Sequence, residues 1–203
     1  VKLNNRGVRS ASAFGSITGL GSMTFIKKVT ASSSATISFV DGTSDVVLDD
    51  TYKEYLFTFN NIHPATDAKK FQFQGNAAGG SGYNETITST AFRAFHFEDD
   101  SNTSLAYRGD IDQAQGTNFQ TLIEKLGNGN DESGSGFLRI FNPSSTTFVK
   151  HFMAQTNEYN SENVTVTNFV SGYFNTASAI DEIQFKMDSG DIDAGDICLY
   201  GIN

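Results

Sequence analysis

The strongest constraint in this sequence is the strict alternation of apolar and polar residues in short runs. Ala35-Thr36-Ile37-Ser38-Phe39 alternates with period two, as do Phe57-Thr58-Phe59 and Phe71-Gln72-Phe73-Gln74. Successive side chains of a strand point to opposite faces, so each run buries one row and wets the other. A helical period would scatter the same residues around an axis. Comparable runs predict strands over residues 24–29, 35–40, 54–61, 69–75, 90–97, 136–141, 146–155, 164–174, 180–187 and 196–202. Many short strands separated by turn signals are the pattern of a sandwich or barrel. The turns have a mechanism: Asp41-Gly42 and Ser189-Gly190 tolerate positive φ, and Asn142-Pro143 turns the chain after Ile140-Phe141.

One segment breaks the pattern. Phe119, Leu122, Ile123 and Leu126 recur at helical spacing and Gly127 follows as a stop, which predicts one short helix over 119–126 covering the sandwich. Residues 24–203 show no internal repeat and no second composition regime, so they read as one β-sandwich domain behind an extended N-terminal arm, residues 1–23. A chain of this size buries about 70% of the surface its unfolded form exposes, enough for a core without disulfides or metal.

Some strands carry apolar residues on both faces. Phe148, Phe152 and Met153 cannot share one face of a strand, and Ile197 and Leu199 oppose Cys198 and Tyr200 in the last one. The outward face of a two-layer sandwich is ordinarily wet. Two-faced apolar strands predict central burial or a subunit interface, and the second makes the protein a symmetric homo-oligomer, with a trimer as the expectation.

Charge is unevenly distributed. The net charge is −9, which argues against a nucleic-acid partner. Residues 1–28 nevertheless contain Lys2, Arg6, Arg9, Lys27 and Lys28 and no acid, giving +5 and leaving −14 for the rest. A basic arm before an acidic body suits docking onto an acidic partner surface. The one cysteine, Cys198, forms no internal disulfide, which points to synthesis in a reducing compartment. No apolar stretch approaches the ~20 residues of a membrane span. The N-terminal residues show no secretory signal, so none is expected.

Catalytic patterns are missing. The sequence holds no Gly-x-Ser-x-Gly elbow, no Gly-Lys-Ser/Thr phosphate loop and no paired metal-binding histidines. Ser81 and Ser135 sit in glycine-rich turns, and His63, His96 and His151 read as hydrogen-bonded packing residues. No enzyme activity and no cofactor are expected. The acidic turn Asp188, Asp191, Asp193 and Asp196 offers hard oxygen ligands and is the candidate calcium site, although it lacks the terminal glutamate of a helix–loop–helix site. The glycine-rich loop 75–84 is the candidate glycan loop, with Tyr83 as an aromatic platform and Asn76 and Asn84 as amide partners.

Several stretches resemble a family of small virion structural proteins from marine tailed bacteriophages, including those infecting cyanobacteria. They are the opening Lys2-Leu3-Asn4-Asn5-Arg6-Gly7-Val8-Arg9-Ser10, then Met23-Thr24-Phe25-Ile26-Lys27-Lys28, Tyr52-Lys53-Glu54-Tyr55-Leu56-Phe57, Ile62-His63-Pro64 and Phe71-Gln72-Phe73-Gln74-Gly75-Asn76. The closing Ile183-Gln184-Phe185, Gly195 and Ile197-Cys198-Leu199-Tyr200-Gly201-Ile202 complete the resemblance, which covers most of the chain. It implies a jelly-roll-like antiparallel sandwich on a capsid or tail, a tail-fibre or head-decoration protein made in the host cytoplasm and localised to the virion. Its partners would be other virion proteins. A carbohydrate-binding adhesin recognising host surface glycans is the alternative reading.

Overall fold

In a computed structural model, residues 23–203 are described. They form twelve strands and, among the described residues, no helix: β1 (Met23–Thr30), β2 (Ile37–Val40), β3 (Glu54–Pro64), β4 (Lys69–Ala77), β5 (Ile87–Phe97), β6 (Thr103–Tyr107), β7 (Gln120–Leu126), β8 (Ser133–Phe141), β9 (Lys150–Asn160), β10 (Val164–Phe174), β11 (Ile180–Met187) and β12 (Ile192–Ile202). All pairings are antiparallel. An eight-stranded sheet runs β1-β12-β3-β8-β9-β10-β5-β6, and a four-stranded sheet runs β2-β11-β4-β7.

Four nested pairs make the topology a jelly roll: β1 with β12, β2 with β11, β3 with β8 and β4 with β7. Two hairpins are inserted into it. The β5–β6 hairpin lies between β4 and β7, and β9–β10 lies between β8 and β11. Both join the same sheet, beyond β8, so one layer is twice as wide as the other.

Alternation places the core where the sequence expects it. On β4, Phe71 and Phe73 point inward, and on β3 Phe57 and Phe59 do the same. Phe185 of β11 sits among them, with ring centroids 5.3 Å from Phe57 and Phe59 and 5.7 Å from Phe71. Phe57 and Phe59 meet it edge-to-face and Phe71 stacks on it, and such pairs add to the area they bury. Phe73, Phe152 and Phe174 extend the cluster under the inserted hairpin.

Three expectations are corrected. Residues 120–126 form β7, not a helix. A bulge against β4, where Phe71 pairs with Ile123 and Gln72 with Thr121, turns both Leu122 and Ile123 inward and so imitates helical spacing. The strand expected over 146–155 begins at Lys150, because the Ser145 hydroxyl accepts the amides of Thr147 and Phe148 and holds a turn there. Finally, β6 was not expected at all. All five of its residues are exposed, so no buried row marks it in the sequence.

Candidate functional site

The two sheets present very different faces to solvent. Outward residues of the eight-stranded sheet follow from its register. One cross-strand row runs Phe25, Tyr200, Leu56, Arg139, Met153, Ser171, Thr90. The next runs Cys198, Thr58, Phe137, Gln155, Phe169, Phe92, Tyr107. Six of the seven exposed large hydrophobics among the described residues lie on this face: Met23, Phe25, Phe92, Leu105, Tyr107 and Met153. Some are paired on the surface itself. Phe92 stacks on Phe169 at 4.8 Å, and Phe25 meets Tyr200 edge-on at 5.6 Å. Between β9, β10 and β5 the same face dips into a groove of about 430 Å³ whose walls include Phe141, His151, Met153 and Tyr173.

The four-stranded sheet turns amides and cations outward. Gln72 of β4 lies between Lys186 of β11 and Thr121 of β7, and its amide donates to the Thr121 hydroxyl at 3.1 Å. Beside that row the Gln184 amide donates to the Ser38 hydroxyl at 2.9 Å. The segment between β6 and β7 closes over one side, leaving a groove of about 420 Å³ bordered by Lys70, Gln72, Asp110, Gln113, Asn118, Phe119 and Lys186.

Buried polar side chains fasten that wall. Gln74 donates from Nε2 to the carbonyls of Glu85, Thr117 and Asn118. Gln120 Nε2 donates to the Ile111 carbonyl at 2.8 Å while its Oε1 accepts from the Ser89 hydroxyl at 2.7 Å. Ser89 Oγ in turn accepts the Gln113 amide. At the wall's other end Glu124 binds Arg93 at 2.8 Å and Arg108 at 2.6 Å, and Arg108 reaches on to Asp110. Burial raises the Glu124 carboxyl above its ordinary range even with two guanidiniums beside it. Nearby, burial pushes the Glu158 carboxyl up to about 7.

No family model, curated protein or solved structure matches this chain.

The residues singled out in the sequence are dispersed. Lys2, Arg6 and Arg9 lie outside the described residues. Lys27 and Lys28 belong to β1, where Lys28 pairs with Asp196 at 3.1 Å. The Thr30 hydroxyl and the Lys28 ammonium hold the Asp196 carboxyl below its usual range. The calcium candidate does not assemble. Asp188 accepts the Lys70 amide, Asp193 accepts the Ser33 hydroxyl and lies 3.7 Å from His63, Asp196 serves Thr30 and Lys28, and no metal-binding group of acids and histidines exists among the described residues. Strand pairing sends these carboxylates to different neighbours.

In the candidate glycan loop, Asn76 is buried within β4 and Asn84 is exposed. Tyr83 is half-buried, donates its hydroxyl to Glu182 at 2.9 Å and packs 6.4 Å from Phe119. Tyr83 therefore reaches the same side of the molecule as the polar groove. The rest of that groove was missed. Its signal is the amide-rich run 113–120, of which Gln113 and Asn118 line the groove and Gln120 fastens its wall.

Proposed function

We propose that this protein is a non-enzymatic structural component of a bacteriophage virion, a tail-fibre or head-decoration protein that attaches through residues 1–23 and assembles as a homotrimer. The observation that carries the reading is the apolar outer face of the eight-stranded sheet. Seven inter-strand spacings of about 4.8 Å make the face about 34 Å across, and nine of the fourteen residues in its two rows are apolar. Scattered apolar residues need no explanation, but here exposed aromatics cluster on one face, Phe92 on Phe169 and Phe25 against Tyr200. The core does not need these side chains, since a complete aromatic layer already fills the space between the sheets. Their use is between subunits.

The perturbed carboxylates support a structural reading over a hydrolytic one. Glu124 and Glu158 are closed off from solvent and tied into the wall beneath β7, rather than facing each other across an open cleft. The charge separation supports the attachment. The +3 of residues 1–23, from Lys2, Arg6 and Arg9, against −12 in the remainder favours contact of the arm with an acidic neighbour. Deletion of residues 1–22 tests it: the domain should stay folded by circular dichroism while incorporation into particles is lost. Particles carrying the truncated protein at normal copy number would overturn the attachment.

A further inference from the structure

We infer that the groove on the outer face of the four-stranded sheet binds an acidic saccharide, a sugar chain bearing carboxylate or sulfate groups. Three independent features point there. The first is its hydrogen-bonding inventory. Gln72, Thr121, Gln113 and Asn118 offer amides and a hydroxyl, which can both donate to and accept from sugar hydroxyls.

The second is charge. The protein is acidic, yet this groove carries Lys70 and Lys186. The lysine ion pairs among the described residues are Lys28–Asp196 and Lys125–Glu162, so neither groove ammonium is neutralised by a carboxylate contact. Lys186 instead lies over the Phe119 ring, with Nζ 4.3 Å from its centroid, an arrangement that positions the cation without quenching it. The two groove carboxylates are already engaged, Asp110 by Arg108 and Asp112 by the Tyr107 hydroxyl. With Asp110 paired to Arg108, the ammoniums of Lys70 and Lys186 outweigh the single charge left on Asp112.

The third is rigidity. A sandwich gains little net stability from burying Gln74 and Gln120 completely, because each buried amide must first be desolvated. What these two residues accomplish is to fix the backbone of 111–118 against the sheet, with bonds to Ile111, Thr117 and Asn118. Buried polar groups that hold a loop in one position, rather than hold the core together, are how a binding wall is preorganised. Gln113 Oε1 is buried without a partner, an acceptor on that wall still unspent.

The test uses the full chain and isothermal titration with three probes: an oligogalacturonate, a sulfated galactan oligosaccharide and a neutral galactan oligosaccharide, with sodium sulfate alone as the ion control. One or both acidic saccharides should bind, and the neutral chain at least about tenfold more weakly. Lys70→Ala with Lys186→Ala should abolish that preference, Lys186→Arg should keep it, and Met153→Ala on the opposite sheet should leave it unchanged. Thermal melting of each variant checks folding. Equal affinity for acidic and neutral chains, binding no tighter than sulfate alone, or no heat from any saccharide would each overturn the inference. None of these outcomes bears on assembly through the other sheet.

Discussion

On the eight-stranded sheet the outward rows hold most of the exposed Phe, Met, Leu and Tyr, among Thr, Ser, Gln and Arg, and none of the described loops walls them in. On the four-stranded sheet they are Gln, Thr, Ser and Lys, walled in by a segment fastened with buried amides. The difference follows from what each surface has to recognise. Apolar burial is non-directional, so an apolar face needs only area and a flat frame, which strand pairing supplies. Hydrogen bonding is directional and costly when unmet, so a polar face needs donors and acceptors set in advance. The inserted hairpins serve both purposes. β9–β10 and β5–β6 widen one sheet into a broad apolar face, and the segment leaving β6 returns as the wall of the polar groove.

The largest perturbation should be one that removes the layer both faces share. Phe185→Ala opens a cavity among five phenylalanine rings and should cost about 3–5 kcal/mol in denaturant unfolding, because the surrounding sheets relax only partly. Both faces should fail together. If one survived at denaturant concentrations that melt the other, the sheets would not be a single cooperative unit.

A change of pH should separate the faces. The Glu158 carboxyl is raised to about 7 by burial, so the folded protein holds a proton there that the unfolded chain releases near its ordinary value. Its contribution is therefore fully present below about 4.5 and is lost as pH rises through 7. The shift corresponds to roughly 3 kcal/mol. Glu158 neighbours Glu124, which ties Arg108 to the groove wall, so the wall should loosen first. Melting temperature should fall between pH 5 and pH 8, and Glu158→Gln should flatten that dependence. An unchanged slope in the variant would assign it to other carboxylates.

A smaller and more local effect is expected at Gln120. Its replacement by Leu strands the Ile111 carbonyl and the Ser89 hydroxyl, at a cost of about 1–3 kcal/mol. Amide exchange across 111–119 should accelerate while β9 and β10 stay protected. Uniform acceleration would mean that Gln120 supports the whole fold rather than the wall.

Much of this architecture was legible in the sequence, for physical reasons that also explain the gaps. Period-two runs such as 71–74 report a strand with one wet face, and β2, β4, β10 and β11 fell where they were expected. β6 gives no such report, because the four-stranded sheet does not reach it and no row of its side chains is buried. β7 imitates a helix in the sequence, because a bulge and a helix both bring two neighbouring apolar residues to one side. The two-faced strand 196–202 did announce an apolar exterior, since Tyr200 and Cys198 could not share the side of Ile197 and Leu199. The polar groove is legible only in its amide-rich run 113–120. Its members come from β4, β7, β11 and the segment after β6, and only strand pairing brings them together.

Assembly through the apolar face is most directly tested by sedimentation equilibrium of the full chain at micromolar concentration, beside a Phe92→Glu, Met153→Glu double variant. Phe92 and Met153 are exposed on that face, so the substitutions should spare the fold while placing charge inside the subunit contact. The wild-type mass should be three times the 22.0 kDa of one chain and should fall to a single chain in the variant, with its circular dichroism intact. A wild-type protein that sediments as one chain, or a variant that still sediments as three, would contradict the account.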